Sequence, residues 1–126
     1  MEKQIISTAN APTAIGPYSQ AVGIGQFLFI SGQIPLDPNT GEVVAGDIVQ
    51  QTHRVMKNIA AILEEAGSYL SQVVKTTVYL TDLADCPIFN QVYQEYFPEN
   101  PPARATVQVV GLPKGVKIEV EAVAVR

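Results

Sequence analysis

Few side chains in this 126-residue chain have both the type and the placement to do chemistry. Arg104 follows Pro101-Pro102-Ala103, whose fixed φ angles stiffen the approach to it. A guanidinium offers a planar donor fork that matches a carboxylate in a bidentate manner. Glu119 lies in the alternating run Ile118-Glu119-Val120-Glu121-Ala122. A carboxylate there could orient or deprotonate a water. The pattern alone leans toward an ion pair of Arg104 with Glu121 or Glu119. It does not decide between a water-handling Glu119 and one bridged to Arg104 or Lys117.

Other chemistries fail on residue counts. One His and one Cys cannot supply the three or four ligands of a His/Cys zinc site. His53 falls off the apolar stripe of its helix and reads as an exposed surface residue, which leaves a Ser-His-Asp arrangement without its base. Cys86 opens a helix, a place where a thiol can be acidified, but beside Pro87 it reads as structural. No phosphate loop ending in Lys-Ser/Thr and no G-x-G-x-x-G after a strand is present. No motif for a metal or a tightly bound organic cofactor appears.

The elements that must position these residues follow from periodicity and punctuation. Lys3–Ser7 reads as a first strand, and residues 9–20, rich in Asn10, Pro12, Gly16 and Pro17, as a loop. Residues 21–25 and 27–31 read as a hairpin, and Asp37-Pro38-Asn39-Thr40-Gly41 as a turn. From Asp47 to Ala66 the apolar residues Ile48, Val55, Met56, Ile59, Ile62 and Leu63 keep a 3.6-residue period, predicting a helix with one buried face. Asp47 and Gln50 are spaced for a capping box, and Gly67 suits the left-handed stop. Gln72–Leu80 reads as a strand, and Asp85–Phe97 as a second helix capped by Asp85. Arg104–Val110 and Val116–Val125 read as a last antiparallel pair around Gly111-Leu112-Pro113-Lys114-Gly115.

This order predicts an α+β domain of two layers, a mixed β-sheet with two helices on one face, occupying residues 1–126 as one unit. Alternation puts Ala105, Val107 and Val109 with Ile118, Val120 and Ala122 against the helices. The opposite face then carries Arg104, Thr106 and Gln108 beside Lys117, Glu119 and Glu121, with Thr106 opposite Glu119. Lys75, Thr77 and Tyr79 share that face, with Val73 beside them. Two helices cannot cover both faces, so the mixed polar face is expected to be a subunit interface.

Composition bounds the partners. A hydrophobic content of 47% is that of a globular chain, and no stretch approaches a membrane span. The segment Met1-Glu2-Lys3-Gln4 is no signal-peptide start, and one cysteine suits a reducing compartment, so a cytoplasmic location is expected. Lys and Arg total 8 against 12 acids, for a net charge of −4, which argues against nucleic acid as a partner. The one basic cluster, His53-Arg54 with Lys57, reads as a solvated helix face.

Over nearly its whole length the chain also resembles the RidA family of reactive-intermediate deaminases. The matching stretches are Ile15-Gly16-Pro17-Tyr18-Ser19-Gln20-Ala21 and Ile30-Ser31-Gly32-Gln33-Ile34-Pro35, then Asp37-Pro38 with Thr40-Gly41-Glu42. Val74-Lys75-Thr76-Thr77-Val78 and Asn90 with Tyr93 follow. The most specific lie last: Pro102-Ala103-Arg104, Leu112-Pro113-Lys114 and Ile118-Glu119-Val120-Glu121-Ala122. The resemblance implies a chorismate-mutase-like fold assembled as a homotrimer around a central barrel, with sites between subunits. It implies hydrolysis of 2-imino acids and their enamine tautomers, such as 2-aminoacrylate, to 2-keto acids and ammonia, without metal or cofactor. Carried over, Arg104 would clamp the substrate carboxylate. Glu119 would hold the attacking water with help from the Thr106 carbonyl. Tyr18, Ser31 and Gly32 would line the pocket, with Asn90 at its rim. Thr106 stands where many relatives carry Cys.

Overall fold

The computed structural model describes residues 1–126. Six strands form one mixed sheet: β1 Gln4–Ile6, β2 Ala21–Ile24, β3 Phe27–Gln33, β4 Val73–Leu80, β5 Ala103–Gln108 and β6 Ile118–Val125. Their order across the sheet is β1-β2-β3-β6-β4-β5. Two helices, α1 (Ile48–Glu65) and α2 (Cys86–Tyr96), complete the α+β architecture expected from the sequence. No helix is long and apolar enough to cross a membrane.

α1 forms where its signals place it. The Asp47 side chain accepts from the Val49 N–H at 3.0 Å, and Gln50 Oε1 accepts from the Asp47 N–H at 2.9 Å, closing the capping box. Gly67, at φ +80°, ends the helix in the left-handed region. Its buried stripe of Val55, Met56, Ile59, Ile62 and Leu63 packs on Leu28, Ile30, Ile118, Val120 and Ala122 of the sheet. Each such fully buried side chain contributes about 1.5–3 kcal/mol. α2 adds Phe89, Tyr93 and Phe97 to the same core.

Two expectations about α2 and β4 are corrected. Asp85 makes no side-chain cap, because it is already in helical conformation. Asp82 caps instead, accepting from the Ala84 N–H at 2.9 Å and opening a short 3₁₀ turn that leads into α2. Val73 does not share the face of Lys75, because the β4–β6 register shifts between them and turns Val73 into the core.

The larger correction concerns the last two strands, which do not pair with each other. β5 runs parallel to β4, with Thr76 opposite Arg104 and Val78 opposite Thr106. β6 lies between β3 and β4, antiparallel to both. The physical reason is burial. β6 has one face of Ile118, Val120, Ala122 and Ala124, all buried, and a strand that apolar belongs mid-sheet. β5 has no buried residue, as befits an edge. A connection from Val109 to Lys117 is also too long for a tight hairpin and long enough to cross over β4.

This topology reverses the face of β5. Thr76 is buried toward α2, its hydroxyl 2.7 Å from Tyr93 Oη. Its partner Arg104 therefore lies on the helix face, with Thr106 and Gln108, while Ala105 and Val107 look the other way. Glu119 and Glu121, opposite Tyr79 and Thr77, do occupy the helix-free face. That face carries Lys75, Thr77 and Tyr79 at its centre and Phe27, Phe29, Val123 and Val125 beside them. Phe27 and Phe29 are almost half exposed there.

Candidate active site

The predicted site residues fall into two groups on opposite faces of the sheet. The first gathers where β3 meets β6. Gln20, buried before β2, organises the loop ahead of it: its Oε1 accepts from the Thr8 N–H at 2.7 Å, and its amide donates to the Thr8 and Pro12 carbonyls at 3.0 and 2.8 Å. Ser31 ties the same loop to β3, its N–H donating to the Gln20 carbonyl at 2.9 Å and its hydroxyl to the Ser19 carbonyl at 2.6 Å. Ser31 thus acts here as a strut rather than as a free hydroxyl. Tyr18, beside this anchor, remains half exposed and lines a cleft of about 390 Å³ with Pro12, Ile15, Gly32, Ile34 and Lys114.

Gly32 is where backbone and carboxylate meet. A Cβ there would sit 2.0 Å from Glu119 Oε2, so no other residue fits without displacing that side chain. The β3–β6 register shifts between Ile30 and Gln33, which brings Gly32 into this approach. Glu119 is half-buried. Its carboxyl is held above the usual range, first by burial and then by the charge of Glu121. Tyr79, directly across from Glu119 on β4, donates its phenol to Glu121 Oε1. That bond, with burial and both glutamates adding to it, pushes the phenol up to about 12.

The second group sits on β5. The Arg104 guanidinium lies over the rings of Phe89 and Tyr93, 5.3 and 5.0 Å from their centroids, so α2 fixes its position. The side chain is otherwise exposed. The Val109 N–H donates to the Leu80 carbonyl at 2.9 Å, which sets the alternation of the parallel ladder. Odd-numbered residues of β5 point their backbone groups at β4. Arg104, Thr106 and Gln108 point theirs outward from the free edge. The Thr106 carbonyl is therefore presented beyond the sheet, while its hydroxyl oxygen is buried without a partner. Asn90 follows Phe89 on α2 with its side chain exposed.

Arg104 and Glu119 are thus not neighbours within one chain, and neither forms the cross-strand ion pair that the sequence pattern allowed. Gln20 and Tyr79 are positioning residues that sequence reasoning missed. Gln20 stands in the stretch from Ile15 to Ala21 that carries the resemblance, but nothing there gives it a role beyond an amide in a loop whose carbonyls need donors. His53 is also corrected: it is half-buried, with Nδ1 2.7 Å from Tyr96 Oη. Nowhere do three His, Cys, Asp or Glu side chains converge to hold a metal ion.

Comparison with known proteins gives consistent relatives. Residues 8–126 match the family model described as Endoribonuclease L-PSP. A RutC family protein of Pyrococcus abyssi is 60% identical over 98% of both chains. A human 2-iminobutanoate/2-iminopropanoate deaminase is 49% identical over 98% of this chain and 90% of its own length. Among solved structures, a member of the conserved Rid protein family from Yersinia pestis superposes with a TM-score of 0.97 at 46% identity, covering 99% of this chain and 100% of that one.

Proposed function

This chain belongs to the RidA family, whose model is described as Endoribonuclease L-PSP, and from that premise we propose that it hydrolyses 2-imino acids to 2-keto acids and ammonia, acting as a homotrimer. The observation that carries this reading is the pair of half-sites. One is a guanidinium fork beside an outward carbonyl at a free strand edge. The other is a half-buried carboxylate beside a cleft on the opposite sheet face. A second copy laying its β5 edge along the first copy's cleft would join them. The human relative's name supports the activity, whereas the Pyrococcus relative is named only by family.

In this mechanism Arg104 of one copy clamps the substrate carboxylate and fixes the C=N carbon over the cleft of the next. Glu119 and the Thr106 carbonyl hold a water. The water attacks the protonated imine carbon as Glu119 takes its proton, giving a carbinolamine. That proton then passes from Glu119 to the amino group, the C–N bond breaks with its electrons leaving on nitrogen, the C=O bond forms as the hydroxyl proton returns to the Glu119 carboxylate, and ammonia departs from the keto acid. A carboxyl pushed upward by burial suits a group that takes and then returns a proton. Tyr18 and Gly32 shape the cleft, Ser31 holds the Tyr18 loop, and Asn90 sits on α2 beside Phe89.

Generating 2-imino acids with an amino-acid oxidase and catalase, and trapping them with semicarbazide, tests the proposal. The wild-type protein should suppress trapping catalytically, and Arg104→Ala should lower turnover roughly a hundredfold or more with its fold retained. Unchanged trapping by both, together with saturable keto-acid binding, would replace hydrolysis by a binding role.

A further inference from the structure

On the outer face of α1, away from both half-sites, we propose a second binding site that takes a phosphate group, free or as a small monoester. His53, Arg54 and Lys57, with Gln50, line a groove of about 400 Å³ against Val44 and Ala45. His53 and Lys57, at i and i+4, share one helix face, and Arg54, at i+1, flanks it. Charge alone would make this an ordinary solvated surface. The hydrogen bonding makes it more, because the acceptor atoms of its polar side chains are already engaged.

Gln50 Oε1 takes the Asp47 N–H in the capping box, leaving its NH₂ group. Arg54 donates its Nε–H to Oδ1 of the buried Asn58 at 3.0 Å. Asn58 in turn donates to the Ile34 and Leu36 carbonyls at 3.4 and 3.1 Å. The guanidinium is therefore anchored to the core by a neutral group, and its charge is not cancelled by that partner. His53 Nδ1 contacts Tyr96 Oη, and the two rings meet edge to face at 5.7 Å. Burial, with the nearby Glu95, holds the Tyr96 phenol above its usual range against the pull of Arg54, and in the proposed site this phenol is the donor to Nδ1. The imidazole hydrogen then sits on Nε2.

What remains to line the groove is a set of donors: the outer guanidinium nitrogens, the Lys57 ammonium, His53 Nε2–H and the Gln50 amide. The two fixed positive charges of Arg54 and Lys57 exceed the single negative charge of a carboxylate. A phosphate, with three terminal oxygens and up to two negative charges, satisfies them. The three basic residues lie within roughly 6 Å of helix axis and Gln50 one turn before them, about 10 Å in all, room for a single phosphate and not for a run of them. Nucleic acid, by contrast, binds by neutralising several phosphates along its length, and the chain's net charge of −4 opposes it.

The test is a titration of the ¹⁵N-labelled full chain with inorganic phosphate and, separately, with glycerol 3-phosphate, followed by amide shifts. Saturable shifts at Ala45, Gln50, His53, Arg54 and Lys57 are expected, and the tighter of the two ligands identifies free ion or ester. Lys57→Gln, at an exposed position, should weaken binding about tenfold or more with the fold unchanged. Arg54→Gln should do the same, and its effect on Asn58 is checked by its melting temperature. No saturation by either ligand up to roughly 10 mM overturns the site. So does binding that Lys57→Gln leaves intact, or a single-stranded oligonucleotide shifting these amides when neither phosphate does.

Discussion

Glu119 lies half-buried against the Gly32 backbone, with Glu121 two residues along on the same strand face. Burial first, and Glu121 second, raise its carboxyl above the ordinary 4.5. A raised carboxylate pKa means that the folded chain holds a proton the unfolded chain has already lost in the window between the two values. The associated stability is complete below the unfolded value and is lost as pH rises through the folded one. Glu119→Gln cannot ionise and escapes this loss. Its urea midpoint should exceed that of the wild type at pH near 7, and the gap should close below 4.5. A variant equally or less stable at neutral pH would show that the fold compensates the charge. Glu119 could be picked from the sequence as a candidate water-handling group. Its close approach to Gly32 could not, because that depends on a register shift in β3 that no residue pattern announces.

Along the chain, the signals that held were local. The α1 cap and stop are read from residues within a few positions of one another, and the structure forms both. The α2 cap misled because two aspartates, Asp82 and Asp85, compete three residues apart, and the 3₁₀ turn between them gives the role to the first. The difference is measurable in paired variants. Asp47→Ala should lower stability by about 1 kcal/mol, the usual loss for an N-cap side chain. Asp85→Ala, with no cap bond to remove, should stay within about 0.5 kcal/mol of the wild type. Urea unfolding of both decides it, and equal losses would mean that Asp85 has a role beyond capping. Strand pairing is non-local, and there adjacency in sequence was a poor guide. β5 and β6 look like a hairpin because they are consecutive and alternate. Yet the alternation of β5 is polar toward the helices, where Arg104 finds its footing on Phe89 and Tyr93. An arginine stacked on aromatic rings sits on the helix face without being apolar, so face matching by polarity assigned it to the wrong side.

At the scale of the whole molecule, one sheet face is covered by helices and the other is bare. The bare face mixes Lys75, Glu119 and Glu121 with Phe27, Phe29, Val123 and Val125, and the β5 edge leaves backbone groups unpaired within the chain. Exposed aromatic area and an open edge both favour association with another copy. The sequence pointed to an uncovered face from its count of helices alone, although the fold puts Arg104 on the other side of it. That placement makes the proposed reaction depend more strictly on assembly, since within one chain Arg104 and Glu119 look out from opposite faces. Phe29→Glu separates folding from assembly. Phe29 is 48% exposed in the single chain, so the new carboxylate there can stay hydrated and the fold should keep its far-ultraviolet circular dichroism. Buried between copies, the same charge would be strongly unfavourable. Light scattering should give a trimer mass for the wild type and a smaller species for the variant. Imine turnover should fall with the fraction of trimer, although Arg104 and Glu119 are untouched. A folded, monomeric variant with full turnover would mean that one chain completes the site alone, against the opposite-face placement of its two central residues.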